Sequence, residues 1–458
     1  MKTHSLICRL GVTDKLAVPL DRPGSACTEI LFIDGNKRLS YGIGQAISQL
    51  AELGMKPSET SLDLAILAAL ITAADTRISR TEHSQNAWTR EMDLYVPVAD
   101  PGKWSKLATL LVTTLNFLTG DRWRFFFRAR PANMKVLVPE LTQLRTAYPT
   151  CICLFSGGLD SFIGAVDLIV KGEEPLLVSH YWDPNSTSPY QNSCFEAVKK
   201  RYPKTTLNRV QARMGFPEGI VKGSSGEDTL RARSFLFFAL AALAADATGE
   251  PKTIHVPENG LISLNVPLDP TRLGALSTRT THPFYMARVN ELFTELGLQT
   301  QLFNKYAHRT KGQMAQECED LPFLTDHAHL TMSCSSPGKA RFSKDPTNRE
   351  PKHCGYCVPC VIRRAAILSG CGPDKTRYMI PNLHAQILDT NQVDGQHVRS
   401  FQMALARLEA MPGQSQFDIH RPGPLTDHPN DWSKYETVYV EGLLEVQAFL
   451  KGVKAQPI

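Results

Sequence analysis

Two clusters in this 458-residue chain carry side chains able to do chemistry. The first is Ser156-Gly157-Gly158-Leu159-Asp160-Ser161, which follows the apolar run 151–155 directly and opens a segment whose Phe162, Val166 and Ile169 share a helical face. A strand that passes through two glycines into a helix is an anion trap. The glycines let backbone approach a phosphate without a Cβ in the way, the helix N-terminus offers unpaired N–H groups, and Ser156 and Ser161 add hydroxyl donors. Asp160 would repel a phosphate unless a cation lay between them, and a Mg²⁺ bridging the carboxylate to phosphate oxygens is the simplest remedy. The chain has no Gly-x-x-x-x-Gly-Lys-Ser/Thr string, so a Walker loop is not the explanation, and Ser156 stands in no Gly-x-Ser-x-Gly elbow, which argues against a serine hydrolase. An ordinary strand-turn-helix connection is the bland alternative.

The second cluster is His353-Cys354-Gly355-Tyr356-Cys357-Val358-Pro359-Cys360, three thiols at two-residue gaps, with Cys334 the natural fourth. Four thiolates at about 2.3 Å from one ion make a closed tetrahedral site, which is structural rather than catalytic. Zinc and an Fe–S cluster both accept such a ligand set, and His353 is the alternative to Cys334. Cys151 and Cys153 alternate on a putative central strand and read as core; nothing functional attaches to Cys8, Cys27, Cys194, Cys318 or Cys371.

The elements that must hold these clusters divide the chain into three regions. Residues 1–147 mix short strands (93–98 and 123–128) with a helix at 62–74 and read as an α+β N-terminal domain. Residues 148–380 alternate strands (151–155, 175–180, 253–256) with helices (161–171, 191–202, 230–247), which predicts βαβ units on a parallel sheet. Residues 381–458 are polar and mostly helical, ending in a helix at 435–451. Composition excludes little: 50 basic against 45 acidic side chains leave a formal charge of +5, which does not support nucleic acid or an anionic membrane as partner. No apolar run reaches the roughly 18 residues that a membrane span needs, and the start of the sequence shows no sustained apolar stretch, so a cytoplasmic protein with reduced thiols is expected.

The glycine loop together with a late Cys-Gly-x-Cys-x-x-Cys-x-x-Arg run resembles the QueC-like (7-cyano-7-deazaguanine synthase-like) PP-loop ATP pyrophosphatases. Tyr190, Gln191 and Glu196, the Arg231-to-Ala241 helix start and Glu258-Asn259-Gly260 extend the similarity over about residues 150 to 370. The resemblance implies an α/β fold with a doubly wound parallel sheet of the adenine nucleotide alpha hydrolase-like kind and a four-cysteine zinc site at Cys334, Cys354, Cys357 and Cys360. It implies ATP, Mg²⁺ and Zn²⁺, with ATP held by Ser156, Gly157, Gly158, Leu159, Asp160, Ser161 and Arg231, and with Asp160, Ser161 and Arg233 in catalytic roles. The chemistry implied is adenylation of a 7-deazapurine carboxylate with release of pyrophosphate, then transfer of the acyl group to an amine. The chain departs from that family in its two added terminal regions and in lacking a Tyr-Pro-Asp-Cys-Arg run, having Ser277-Thr278-Arg279-Thr280-Thr281-His282-Pro283-Phe284 instead. The enlarged plan resembles the QueC-like (QatC) members of the Qat anti-phage cassettes, where the amine is expected to belong to a partner protein of the same cassette.

Arg279, Thr280 and His282 are candidate linings of an acceptor pocket. Lys305, His308, Arg309 and Lys311 read as a solvated basic face or as phosphate contacts. Arg122, Arg124, Arg128 and Arg130, interleaved with aromatics, read as a half-buried strand or as a surface for single-stranded nucleic acid. A tRNA-modifying PP-loop enzyme and a nucleotide-sensing scaffold of a defence complex are the alternative functions.

Overall fold

The computed structural model describes residues 2–35, 38–85, 88–185, 187–227, 229–269, 279–342 and 349–458. Its nine main strands form two sheets, both wholly parallel. The first contains β1 (His4–Arg9), β2 (Ala26–Leu31), β3 (Glu91–Val98) and β4 (Arg122–Ala129) in the order β2-β1-β3-β4. The second contains β5 (Cys151–Leu154), β6 (Pro175–Tyr181), β7 (Asn208–Arg213), β8 (Lys252–His255) and β9 (Thr300–Phe303) in the order β7-β6-β5-β8-β9.

The second sheet agrees with the expected βαβ pattern. The first corrects the α+β reading of the N-terminal region, because parallel strands need crossovers and two of the three are helical: Glu59–Arg77 between β2 and β3 and Ala108–Thr119 between β3 and β4, whereas 10–25 joins β1 to β2 without a helix. Strand β3 is buried almost along its whole length, as a parallel central strand should be. Its one internal charge, Asp93, sits in register with Arg124 of β4, which donates to both carboxylate oxygens at 2.8 and 2.6 Å. The remaining arginines of that strand and of the residue after it are also paired: Arg122 with Glu91, Arg128 with Asp14 and Arg130 with Asp63. Arg130 is buried. Trp123, Phe125 and Phe127 stack along the other face and pack into the core.

Helices Glu59–Arg77 and Arg233–Asp246 lie between the two sheets and touch each other, which is why both sequences are apolar nearly all round. One continuous core runs from Leu6, Ile30 and Leu94 through Leu64, Ala68, Phe235 and Leu240 to Ile152, Leu154, Leu176 and Val178. The opposite face of the second sheet, presenting Cys153, Phe155 and Leu177, packs on Phe162, Val166, Cys194 and Val198. The period-2 alternation of 151–155 thus serves two helical layers. Edge strand β7 is covered by the N-terminal helix Ile43–Glu52: Gln49 exchanges two hydrogen bonds with the Gln211 backbone, at 2.8 and 3.2 Å, as a neighbouring strand would.

In the C-terminal region, helices Val393–Ala410 and Trp432–Leu450 pack on Leu261, Val361 and Ile362, and a short parallel pair, β10 (Leu388–Asp389) with β11 (Ala455–Gln456), adds strand where only helix was expected. Among the described residues no helix is long and apolar enough to cross a membrane.

Candidate functional site

In an open parallel sheet ligands bind beyond the carboxyl ends of the strands where the strand order reverses. Here that point lies between β5 and β8, because the chain proceeds from β5 through β6 to β7 on one side and then returns to β8 and β9 on the other. A cavity of about 410 Å³ opens there, lined by Ser156 and Ser161 from the glycine loop, Arg233 and Ser234 from the buried helix, Glu258 after β8, and Thr280 and Thr281.

The loop has little freedom. Gly157 has φ +78°, and a Cβ added there would stand 2.9 Å from Gln191 Cγ and 3.0 Å from its backbone nitrogen. Gln191 is wholly buried and donates to the carbonyls of Ser156 and His180 at 3.3 and 3.0 Å, so it ties the carboxyl ends of β5 and β6 together beneath the loop. Ser161 Oγ donates to the Gly158 carbonyl at 3.0 Å and lies 3.2 Å from Ser156 Oγ. Helix Leu159–Val170 starts at Gly158 with no side-chain cap, so its first N–H groups stay available to an anion. Gly157→Ala should therefore lower stability by about 1–2 kcal/mol from the left-handed backbone alone. The displacement of Gln191 adds to that loss, and a shift in the midpoint of urea unfolding measures it.

Asp160 is buried and does not line the cavity. Its Oδ1 is 3.0 Å from Lys311 Nζ, and its Oδ2 accepts from the Asn259 backbone and side chain at 3.2 and 2.8 Å. Burial alone would push this carboxyl up; Lys311, with hydrogen bonds from Glu258 and Asn259, holds it below the usual carboxylate range. Burial, and then the charge of Asp160, pushes Glu258, on the cavity wall, well above its ordinary value. The cation expected beside Asp160 is thus an ammonium of the protein itself. Among the described residues, Oδ2 is taken by Asn259, while Oδ1 has the ion pair with Lys311 alone.

The remaining candidate residues separate sharply. Arg233 faces the cavity, donates Nε to His180 Nε2 at 3.1 Å, and has no carboxylate partner among the described residues. Burial lowers its pKa. Arg231, expected at the nucleotide, points the other way: its guanidinium lies 4.7 Å over Trp88 and donates to the Thr119 carbonyl at 2.9 Å. Leu159 is wholly buried core and can offer only its backbone. Thr280 lines the cavity, but Arg279 stacks 4.7 Å over Phe117 and His282 caps helix Pro283–Glu295 through a 3.2 Å bond from Phe284 N–H, burial driving its pKa down to about 3. Ser277 and Thr278 lie outside the described residues. Glu196 is exposed on helix Ser188–Arg201 and does not line the cavity. Of the basic stretch, Lys305 and Arg309 pair with Asp167 and Glu317, whereas Lys311 is buried at the loop. Lys311 is the residue that sequence reasoning most undervalued.

Cys334, Cys354, Cys357 and Cys360 place their four Sγ atoms within 4.8 Å of one another, with 3.9 and 3.8 Å for the pairs 334–357 and 354–360. A tetrahedron of sulfurs about 2.3 Å from a central ion has edges of about 3.8 Å, so the cluster fits a metal such as zinc. His353 is not among the ligands, since its Nε2 accepts from the Ser333 backbone at 3.1 Å. The cluster is also joined to the loop: Met332, two residues before Cys334, donates its N–H to the Gly157 carbonyl at 2.7 Å. Arg363, on the helix Val358–Gly370 that carries Cys360, holds the same segment through Thr331 Oγ1 and the Ala328 carbonyl, both at 2.6 Å. No family model, curated protein or solved structure matches this chain, so a functional reading rests on these residues and their geometry.

Proposed function

We propose that this protein is a QueC-like ATP-dependent enzyme that adenylates a 7-deazapurine carboxylate with release of pyrophosphate and passes the acyl group to an amine. The observation that supports it most is Arg233, a guanidinium without a carboxylate partner among the described residues, sharing one cavity with an uncapped helix N-terminus and the hydroxyls of Ser156 and Ser161. Such a wall is complementary to a polyanion, and leaving it empty of negative charge is costly in a partly dry site. In this reading the backbone of Gly157 to Ser161 holds the two terminal phosphates. Arg233 faces the α-phosphate and the attacking carboxylate, and its charge offsets the repulsion between these two anions as they meet. Glu258 is disfavoured as an anion by burial and by Asp160, so it adds less repelling charge to this wall. Asp160 acts from behind, as the group that keeps Lys311 and Asn259 against the loop.

Activation is required because a carboxylate is a poor electrophile, and AMP is a far better leaving group than oxide. The amine is ammonia or an amine of a protein partner, and membership of an anti-phage cassette fits the added N- and C-terminal regions. Zinc at the four cysteines is structural in this scheme. The ion-paired arginines at 122, 124, 128 and 130 give no independent support to an RNA surface.

Arg233→Ala is expected to weaken ATP binding by about 10-fold to 100-fold, the worth of one charge-assisted contact, at nearly unchanged stability. The reading as a whole is tested by incubating the protein with ATP, 7-carboxy-7-deazaguanine, ammonium and proteins encoded beside it. Pyrophosphate release with conversion of the acid to its amide, or with the acyl mass gained by a partner, supports it; neither product, from protein that is folded and metal-loaded, contradicts it.

A further inference from the structure

Building on the reading of Arg233 as an anion-binding group, we infer that the N-terminal region forms one wall of this site and that its Asp75 is the positioning residue for Arg233. Asp75 is buried in the last turn of helix Glu59–Arg77. Its Oδ2 accepts the Ala232 N–H at 2.8 Å, and Ala232 is the residue preceding the helix that begins at Arg233. That helix has no cap from its own N-cap side chain, so the carboxylate of Asp75 does the work from another part of the chain. It accepts an orphan N–H and sets negative charge at the positive end of the helix dipole.

The capping carboxylate is itself immobilised. Its Oδ1 accepts from Arg90 at 2.8 Å, Arg90 reaches Asp121 at 2.7 Å, and Asp121 also takes Arg80 at 2.5 Å, all of them buried. The approach to the helix is pinned from the same side: Arg80 N–H donates to Glu227 at 2.8 Å, Glu227 N–H to the Thr76 carbonyl at 3.0 Å, and Arg77 to the Phe216 carbonyl at 3.0 Å. Arg233 needs such an anchor. A cation held away from water with only a neutral imidazole beside it would otherwise swing toward solvent and unwind its first turn. A second link reaches the loop, because Gln49 of the N-terminal region bonds the Gln211 backbone and the Gln211 side chain bonds Gln191, the residue under Gly157, at 2.8 Å. The N-terminal region thus grips both sides of the crevice, and Thr72, Asp75 and Thr76 continue it into an adjoining cavity of about 520 Å³ that shares Arg233.

The test compares Asp75→Ala with Asp121→Asn in the full-length protein. Both variants unbalance the buried arginines, but Asp121 does not bond Ala232. Calorimetric titration with ATP and with inorganic pyrophosphate should show affinity falling about fivefold to tenfold for Asp75→Ala, the worth of one helix cap, and staying near wild type for Asp121→Asn. Amide exchange at Ala232 should accelerate in Asp75→Ala alone. Asp75→Asn keeps an oxygen for Ala232 but not the charge at the helix N-terminus, so it should lose part of the affinity that Asp75→Ala loses, which keeps the comparison with Asp121→Asn available if the alanine variant fails to fold. Equal affinity losses in the Asp75 and Asp121 variants, or no loss in either, would overturn the inference. If wild type binds neither ATP nor pyrophosphate, the proposed function is what has failed, and Ala232 exchange still reports whether Asp75 is the cap.

Discussion

Lys311→Met should lower the unfolding free energy by about 3–5 kcal/mol at neutral pH, the usual result of removing one partner from a buried ion pair. Both side chains of the Lys311–Asp160 pair are 7 % exposed, so water cannot replace the ammonium, and the carboxylate would stay buried with only the donors of Asn259 and Glu258. The loss should also depend on pH in a defined direction. In the wild type the folded-state pKa of Asp160 is lowered, so the pair stabilises above the unfolded carboxylate value, about 3.9, and its contribution disappears on acidification. Without Lys311 the upward push of burial is opposed only by the hydrogen bonds from Glu258 and Asn259, so that pKa should rise. The folded variant then binds a proton more readily than its unfolded chain, and its deficit shrinks as pH falls from about 7 to about 5. Urea unfolding at the two pH values measures both effects, and Asp160→Asn combined with Lys311→Met should recover much of the loss. A Lys311→Met deficit below about 1 kcal/mol, or one that grows on acidification, would contradict the account of this pair.

The glycine loop and the cysteine cluster were legible in the sequence because each is almost contiguous and its residue types have few other uses. What was not legible depends on distance along the chain or on direction. Lys311 stands in a stretch that looks like a solvated basic face, and only the fold brings it to Asp160. Arg231 and Arg233 are two residues apart, but only Arg233 is helical and Arg231 lies before the N-cap Ala232, so one reaches the cavity and the other Trp88. Periodicity named two of the four strands of the first sheet, β3 and β4, but not their sense, since a parallel and an antiparallel pair bury the same local pattern when helices cover both faces. His282 reads in the sequence as a candidate lining of an acceptor pocket; its use as a helix cap shows only once the helix after it is placed.

Cys354→Ser is the second change with a large expected effect. Removing one ligand from a closed four-thiolate site should lower metal content well below one ion per chain and cost more than about 4 kcal/mol, because metal binding and folding of such a site are one free energy. The damage should reach the glycine loop as well, since the segment from Thr331 to Cys334 is held by the cluster and by Arg363, and its Met332 N–H supports the Gly157 carbonyl. Elemental analysis with thermal unfolding checks the first expectation, and amide exchange at Met332 checks the second. His353→Ala serves as the control: it should leave the metal content unchanged, because that ring is engaged by Ser333. Full metal occupancy in Cys354→Ser would contradict the assignment of the four ligands.

The most direct measurement for the proposed activity is the identity of the nucleotide product. Wild-type protein supplied with ATP, the deazapurine acid and an amine should yield AMP and pyrophosphate in equal amounts, resolved by anion-exchange chromatography, and Arg233→Ala should suppress both. ADP with orthophosphate as the products, or AMP formation that is indifferent to Arg233, would contradict the reading of this cavity.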